Sequence, residues 1–167
     1  IETPAELRQS FGFSAAQPVV GLFPGSRRSE IERLLPLMLE VANKLAERDE
    51  SIRFLLPVAN TLDITSIREQ CAEIPSIVVT DSHIDRCIGA CSAIATCSGT
   101  VTLEIALQQV PMCIVYRMST LSYSIMKRLI TIPHIGLANI VAGKAVVKEL
   151  LQRDASADKV ANEVEHL

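Results

Sequence analysis

No tryptophan occurs in this 167-residue chain, and phenylalanine and tyrosine together supply only 4% of it. Its core must therefore be aliphatic, and apolar residues, at 49%, are plentiful. Ile, Leu, Val and Ala dominate, as they do where strands are covered on both faces by helices. Long apolar runs are missing as well: no stretch reaches the roughly eighteen residues of a membrane-spanning helix. No signal peptide is recognisable. Basic residues are not in excess, and a net charge of −3 argues against a general nucleic-acid binder. A disulfide framework is also absent. The five cysteines, Cys71, Cys87, Cys91, Cys97 and Cys113, are odd in number and scattered through apolar segments. Cys87 and Cys91 share a helical spacing, but no second ligand pair follows, so buried free thiols are expected rather than a zinc site. That usage implies a reducing, cytoplasmic compartment. No initiator Met precedes Ile1-Glu2-Thr3-Pro4, and the chain is expected to be a piece of a longer protein.

Several catalytic signatures are missing too. Gly25-Ser26-Arg27-Arg28 lacks the Gly-Lys-Ser ending of a Walker loop. Ser98 has no evident His and Asp partners, and Gly-x-Ser-x-Gly does not occur, so a serine hydrolase is disfavoured. His83, His134 and His166 do not cluster and read as structural or solvent-facing. No Asp-x-Asp pair, internal repeat or low-complexity segment is found.

What is present is an alternation of short apolar runs with helical patterns. Strands are expected at Val19–Phe23, Ile52–Leu56, Ile77–Val79, Ser92–Thr96 and Met112–Val115. Helices are expected at Pro4–Phe11, from Ser29 onward, at Asp63–Glu73, at His83–Ala90 and at Thr100–Gln109. Ser29 with Glu32 reads as a capping box, and Glu30 and Glu32 as partners of the helix dipole. The alternation implies an α/β fold, a Rossmann-like parallel sheet flanked by helices, in one domain over residues 1–167. Beyond the sheet, a helix is expected from Ser119 to about Leu129, with Lys127 and Arg128 near its end. An ordered loop is expected over Ile132–Lys144, a short amphipathic helix at Ala145–Leu151, and a last helix from Ser156. The docking of that last helix stays open.

Two strand-to-helix bends carry glycine. In Ala95-Thr96-Cys97-Ser98-Gly99-Thr100-Val101-Thr102-Leu103-Glu104, Gly99 allows the bend and a close approach, while Ser98 and Thr100 can cap the helix. Free N–H groups at a helix start suit a phosphate, and Glu104, one turn in, can reach a sugar hydroxyl. An ordinary strand-helix turn is an equal reading of this run alone. In Pro24-Gly25-Ser26-Arg27-Arg28, backbone amides and the Arg27 guanidinium can hold phosphate. Arg28 reads as a solvated surface charge. Both bends fall at carboxyl ends of strands, where such sheets bind ligands. Asn139 reads equally as a ligand contact and as a turn-stabilising residue.

Three stretches together resemble the lipid-A-disaccharide synthase family, bacterial glycosyltransferases of the two-domain GT-B type. They are Leu22–Ile31; Ser98–Glu104 with Val110-Pro111-Met112 and Val115–Met118; and Lys127-Arg128-Leu129 through Gly136–Gly143. One departure is Ala138, where the family usually has Leu-Pro-Asn. The resemblance implies the carboxyl-terminal, donor-binding half of a GT-B enzyme. Such an enzyme transfers 2,3-diacylglucosamine from UDP to 2,3-diacylglucosamine 1-phosphate, giving the β-1,6 lipid A disaccharide phosphate and UDP. The acceptor domain and the catalytic base then belong to a missing amino-terminal half, so no catalytic residue is assigned here beyond an electrostatic role for Arg27. Gly25, Ser26 and Arg27 fall to the donor pocket, Ser98, Gly99 and Thr100 to the diphosphate, and Glu104 to the ribose. Asn139 is added to the donor pocket, with Arg117 as a further candidate. No metal or cofactor is required, since amides and Arg27 can neutralise the leaving group.

The lipid substrates imply a cytoplasmic, peripheral enzyme of the inner membrane. For the apolar and basic region Met118–Leu137, burial and lipid contact are the two readings, and a second copy of the chain is a further partner to consider. The alternatives are another UDP-hexosamine transferase or epimerase of the same build, or a non-catalytic nucleotide-binding module. A phospho-acceptor receiver is disfavoured, because the first strand ends in Phe23-Pro24-Gly25 without an acidic cluster.

Overall fold

A computed structural model describes residues 2–118 and 134–167. The helix expected from Ser119, with Lys127 and Arg128, lies outside them, as does most of the Met118–Leu137 region. Six parallel strands form one sheet: β1 (Val19–Phe23), β2 (Arg53–Pro57), β3 (Ile77–Thr80), β4 (Ala93–Cys97), β5 (Met112–Tyr116) and β6 (Lys148–Leu151). Their order is β3-β2-β1-β4-β5-β6. Seven α-helices accompany them in the described residues: α1 (Pro4–Ser10), α2 (Arg28–Arg48), α3 (Ile64–Cys71), α4 (Ile84–Ala90), α5 (Val101–Leu107), α6 (Leu137–Ala142) and α7 (Ala157–His166).

Alternate strand residues feed two apolar layers. Leu22, Phe54, Leu56, Ala95 and Val115 pack with the buried stripes of α2, α3 and α7. Val19, Phe23, Leu55, Ile94 and Met112 pack on the other side with Leu7, Ile88, Ile105 and Ala138 from α1, α4, α5 and α6. All five residues of β1 and of β4 are buried, which is why these strands read as unbroken apolar runs. The stripe of α2 is Ile31, Leu34, Leu35, Met38, Val41, Ala42 and Leu45, a 3.6-residue repeat interrupted only by Pro36 in its sequence. Helix α7 docks beside α2 with Val160, Ala161 and Val164 inward, which settles where the last helix goes among the described residues.

Two expectations past Tyr116 are corrected. Residues 145–151 are not a helix: Lys148–Leu151 is the edge strand β6, in register with Cys113–Tyr116. Leu150 is buried, while Lys148, two residues earlier on the same face, is exposed and pairs with Glu163 of α7. The Ile132–Lys144 loop contains a helix, α6, where described. Gly136 precedes it and Gly143, at φ +65°, ends it in the left-handed conformation.

Candidate functional site

The strand order reverses direction between β1 and β4, which pair directly through Phe23 and Thr96. Loops leaving the carboxyl ends of these two strands diverge to opposite faces and leave a crevice. A cleft of about 650 Å³ lies there. The bends at Gly25 and Gly99 both line it, with Ser26, Arg27, Ser98, Thr100 and Glu104. Seven of the nine residues singled out in the sequence thus meet in one place.

The two bends are built differently. Gly25 has φ +119°, a conformation that L side chains rarely adopt, and a Cβ placed there would lie 2.3 Å from Oε2 of Glu30. That carboxylate fills the turn. It accepts N–H bonds from Ser26 at 2.9 Å and Arg27 at 3.1 Å, and pairs with the Arg27 guanidinium at 3.2 Å. The amides of Ser26 and Arg27 are thus occupied by the chain itself, which corrects their expected role on phosphate. The Ser29–Glu32 capping box is likewise replaced. Helix α2 starts at Arg28, Glu30 folds back over its start, and Glu32 pairs with Arg28 at 2.9 Å.

At Gly99 no described residue lies within 4 Å of a built Cβ. Among the described residues the space over this bend is open, and the N–H groups of Gly99 and Thr100 have no acceptor there. Neither Ser98 nor Thr100 caps α5, contrary to expectation. Thr100 makes no side-chain cap bond, and the Ser98 hydroxyl donates to the Ile135 carbonyl at 3.1 Å. The turn is tied instead by Thr102, whose hydroxyl donates to Gly99 O at 2.8 Å. Amides left free at the start of α5 remain available to an anion.

Asn139 and Arg117 are not brought to the cleft. Asn139 is fully buried; its amide nitrogen donates to Val147 O and Glu149 Oε1, and its oxygen accepts from Val146 N and Val147 N. It is the turn-stabilising residue of its two readings. The Glu149 carboxylate in turn accepts from the backbone of Ile135 and Gly136, so this pair fixes the segment that meets Ser98. Arg117 donates from two guanidinium nitrogens to Ala155 O, at 3.0 and 2.5 Å, and anchors the connection between β6 and α7.

The far wall was missed by sequence reasoning. Asn60 from the loop after β2, and Asp81, Ser82 and His83 from the loop after β3, line the cleft. His83, expected to be structural or solvent-facing, is thus a cleft residue. The signal available was topological: all loops at strand carboxyl ends share one rim of the sheet. Cys97 also lines the cleft, and burial pushes its thiol up to about 12, so it is a neutral apolar wall at ordinary pH. Among the described residues, no three His, Cys, Asp or Glu side chains group as metal ligands would.

A family model described as lipid-A-disaccharide synthetase matches residues 2–167. The chain belongs to that family. It is 50% identical over 160 residues to the lipid-A-disaccharide synthase of Geobacter sulfurreducens, covering 95% of this chain and 42% of that protein. Against the synthase of Nitrosococcus oceani it is 43% identical over 159 residues, covering 94% of this chain and 41% of the relative. The chain therefore spans about two-fifths of the length of these relatives. Among solved structures, Escherichia coli ADP-heptose lps heptosyltransferase II superposes with a TM-score of 0.66 at 14% identity, covering 98% of this chain and half of that one. A Staphylococcus aureus TarM variant, solved with ligands that include UDP, gives 0.55 at 16% identity, covering 89% and 29%. These likenesses show the fold: a Rossmann-like sheet flanked by helices, of the kind that forms one half of GT-B glycosyltransferases.

Proposed function

We propose that this chain is the carboxyl-terminal, donor-binding half of a lipid-A-disaccharide synthase. The whole enzyme transfers 2,3-diacylglucosamine from UDP to 2,3-diacylglucosamine 1-phosphate. The observation that carries the reading is the meeting of the Gly25 and Gly99 bends at one cleft, in a member of this family. The diphosphate sits over the open Gly99–Thr100 amides, with the Arg27 guanidinium opposite and Ser98 at the turn. Glu104, exposed on α5, accepts from the ribose hydroxyls. In the transfer, negative charge grows on the leaving β-phosphate, and fixed amide dipoles and a guanidinium stabilise that charge without reorganising. No metal ion is needed for this neutralisation, so transfer by the full-length enzyme persists in excess chelator.

The acceptor and the base that deprotonates it belong to the amino-terminal domain, which this chain does not include. The chain alone binds donor without turning it over. Its lipid substrates place the whole enzyme at the cytoplasmic face of a membrane, although no described helix is long and apolar enough to cross one. Calorimetry with UDP tests the reading. Arg27→Ala and Glu104→Ala each remove a charged hydrogen-bonding partner and weaken binding by about tenfold. Wild-type affinity in both variants would refute the site.

A further inference from the structure

The motif Gly25-Ser26-Arg27-x-x-Glu30 contains a carboxylate that the proposed function does not use. Its two oxygens serve three donors: Oε2 takes Ser26 N and Arg27 N, and Oε1 takes a guanidinium nitrogen of Arg27. The glycine is fitted to it, since any side chain at position 25 would collide with Glu30 Oε2, Cβ and Cδ at 2.3, 2.7 and 3.0 Å. Glu30 is about one-quarter exposed, while the Arg27 side chain is 80% exposed beside the same cleft. A phosphate placed on the Ser26 and Arg27 amides would have to expel this carboxylate and then stand next to it, at a like-charge penalty. The guanidinium has five N–H donors, and Glu30 engages one nitrogen. Its remaining donors have no partner among the described residues.

We infer that Glu30 is a positioning residue that seals the amides of the first bend and presents the Arg27 guanidinium to the donor's diphosphate. This rests on the proposed uridine-nucleotide site. The division of labour is specific. At Gly25 the chain supplies its own anion, and only a side chain reaches the ligand. At Gly99 no internal anion is present among the described residues, and the backbone does the binding. An arginine without its carboxylate partner samples many rotamers, and ordering it on binding carries an entropic penalty. An arginine already paired on one edge binds phosphate with less of that penalty.

Titration of UDP and uridine into the full chain and its Glu30→Gln, Glu30→Ala and Arg27→Ala variants tests this. Glu30→Gln keeps the volume and one acceptor, so it separates charge from packing. The expected result is that Glu30→Gln and Glu30→Ala weaken UDP by roughly three- to tenfold while uridine changes less than about twofold. In the Arg27→Ala background, Glu30→Gln then has no further effect on UDP. Equal or tighter UDP binding by Glu30→Gln would make the carboxylate a competitor for the phosphate seat and overturn the inference. Parallel losses for UDP and uridine, additive with Arg27→Ala, would reduce Glu30 to a structural cap and also overturn it. If the wild-type chain binds no UDP, the uridine-nucleotide reading fails, and inorganic pyrophosphate titrated into the same variants carries the test of Glu30 alone.

Discussion

At the scale of single residues, Asn139 has the most tightly bound polar side chain in the described structure, with four hydrogen bonds and no exposed surface. Removing it leaves Val146 N–H, Val147 N–H and part of the Glu149 carboxylate short of partners. Asn139→Ala should destabilise the chain by about 2–4 kcal/mol, the cost of several orphaned polar groups. Urea unfolding measures it; lost UDP binding at unchanged stability would instead make Asn139 a ligand contact. Gly25→Ala should mimic the loss of Glu30, because the added methyl occupies the carboxylate's seat. These positions also mark the limit of the sequence argument. Gly99 and Glu104 were legible because a strand-to-helix bend has few designs. Glu30 and Glu32 both suit a first helical turn, and only the N-cap of α2, at Arg27 and so two residues before Ser29, decides between them. Asn139 was undecidable, since an amide that closes a turn and one that reads a sugar look alike in sequence.

Among elements, packing rather than ion pairing joins α2 to α7. Lys44 meets Asp158 at 2.7 Å and Arg48 meets Glu165 at 2.7 Å, yet these side chains are more than one-third exposed and such pairs contribute about 0–1 kcal/mol. Leu45 is fully buried in the layer beneath. Leu45→Ala should destabilise by about 2–5 kcal/mol and Arg48→Ala by less than about 1 kcal/mol in chemical unfolding. A reversed ranking would show that the charges carry the contact. In β1, Gly21 is hemmed by Phe23 Cε1 at 2.8 Å, Ile94 Cγ1 at 2.9 Å and Cys91 Sγ at 3.0 Å from a built Cβ. Gly21→Ala should therefore destabilise by about 1–3 kcal/mol through overpacking. Five strands were legible as short apolar runs: β1, β2, β4 and β5 are almost wholly buried, and the edge strand β3, though largely half-buried, still reads Ile77-Val78-Val79. The sixth was not: Lys148-Glu149-Leu150-Leu151 mixes charge and leucine as an amphipathic helix does, and its pairing with β5 is a long-range fact.

For the whole molecule, acid and alkali act through different groups. Hydrogen bonds and the Lys44 charge hold Asp158 below its ordinary value, and Lys159 does the same for Asp154. Contributions of this sign are present above the unfolded value and are lost as pH falls through the folded one. The melting temperature should therefore decline once pH drops below the ordinary aspartate value of 3.8. The thiols have the opposite sign. Burial raises Cys87, Cys97 and Cys113 from 9.0 to about 12, so their stabilisation is complete below 9.0 and fades as pH climbs toward 12. Thermal melts across this range, with slow native-state alkylation of all five buried cysteines at neutral pH, check both signs. Rapid labelling of folded chain would contradict the burial assigned to them.

The seating of α7 on α2 also dictates when this domain becomes competent during synthesis. The greasy stripe of α2 ends at Arg48, but the part of its cover formed by Val160, Ala161 and Val164 emerges more than a hundred residues later. Until the ribosome has released the 157–166 segment, that stripe lacks part of its lid, and a nascent chain stalled before it should recruit chaperones and fall prey to proteases.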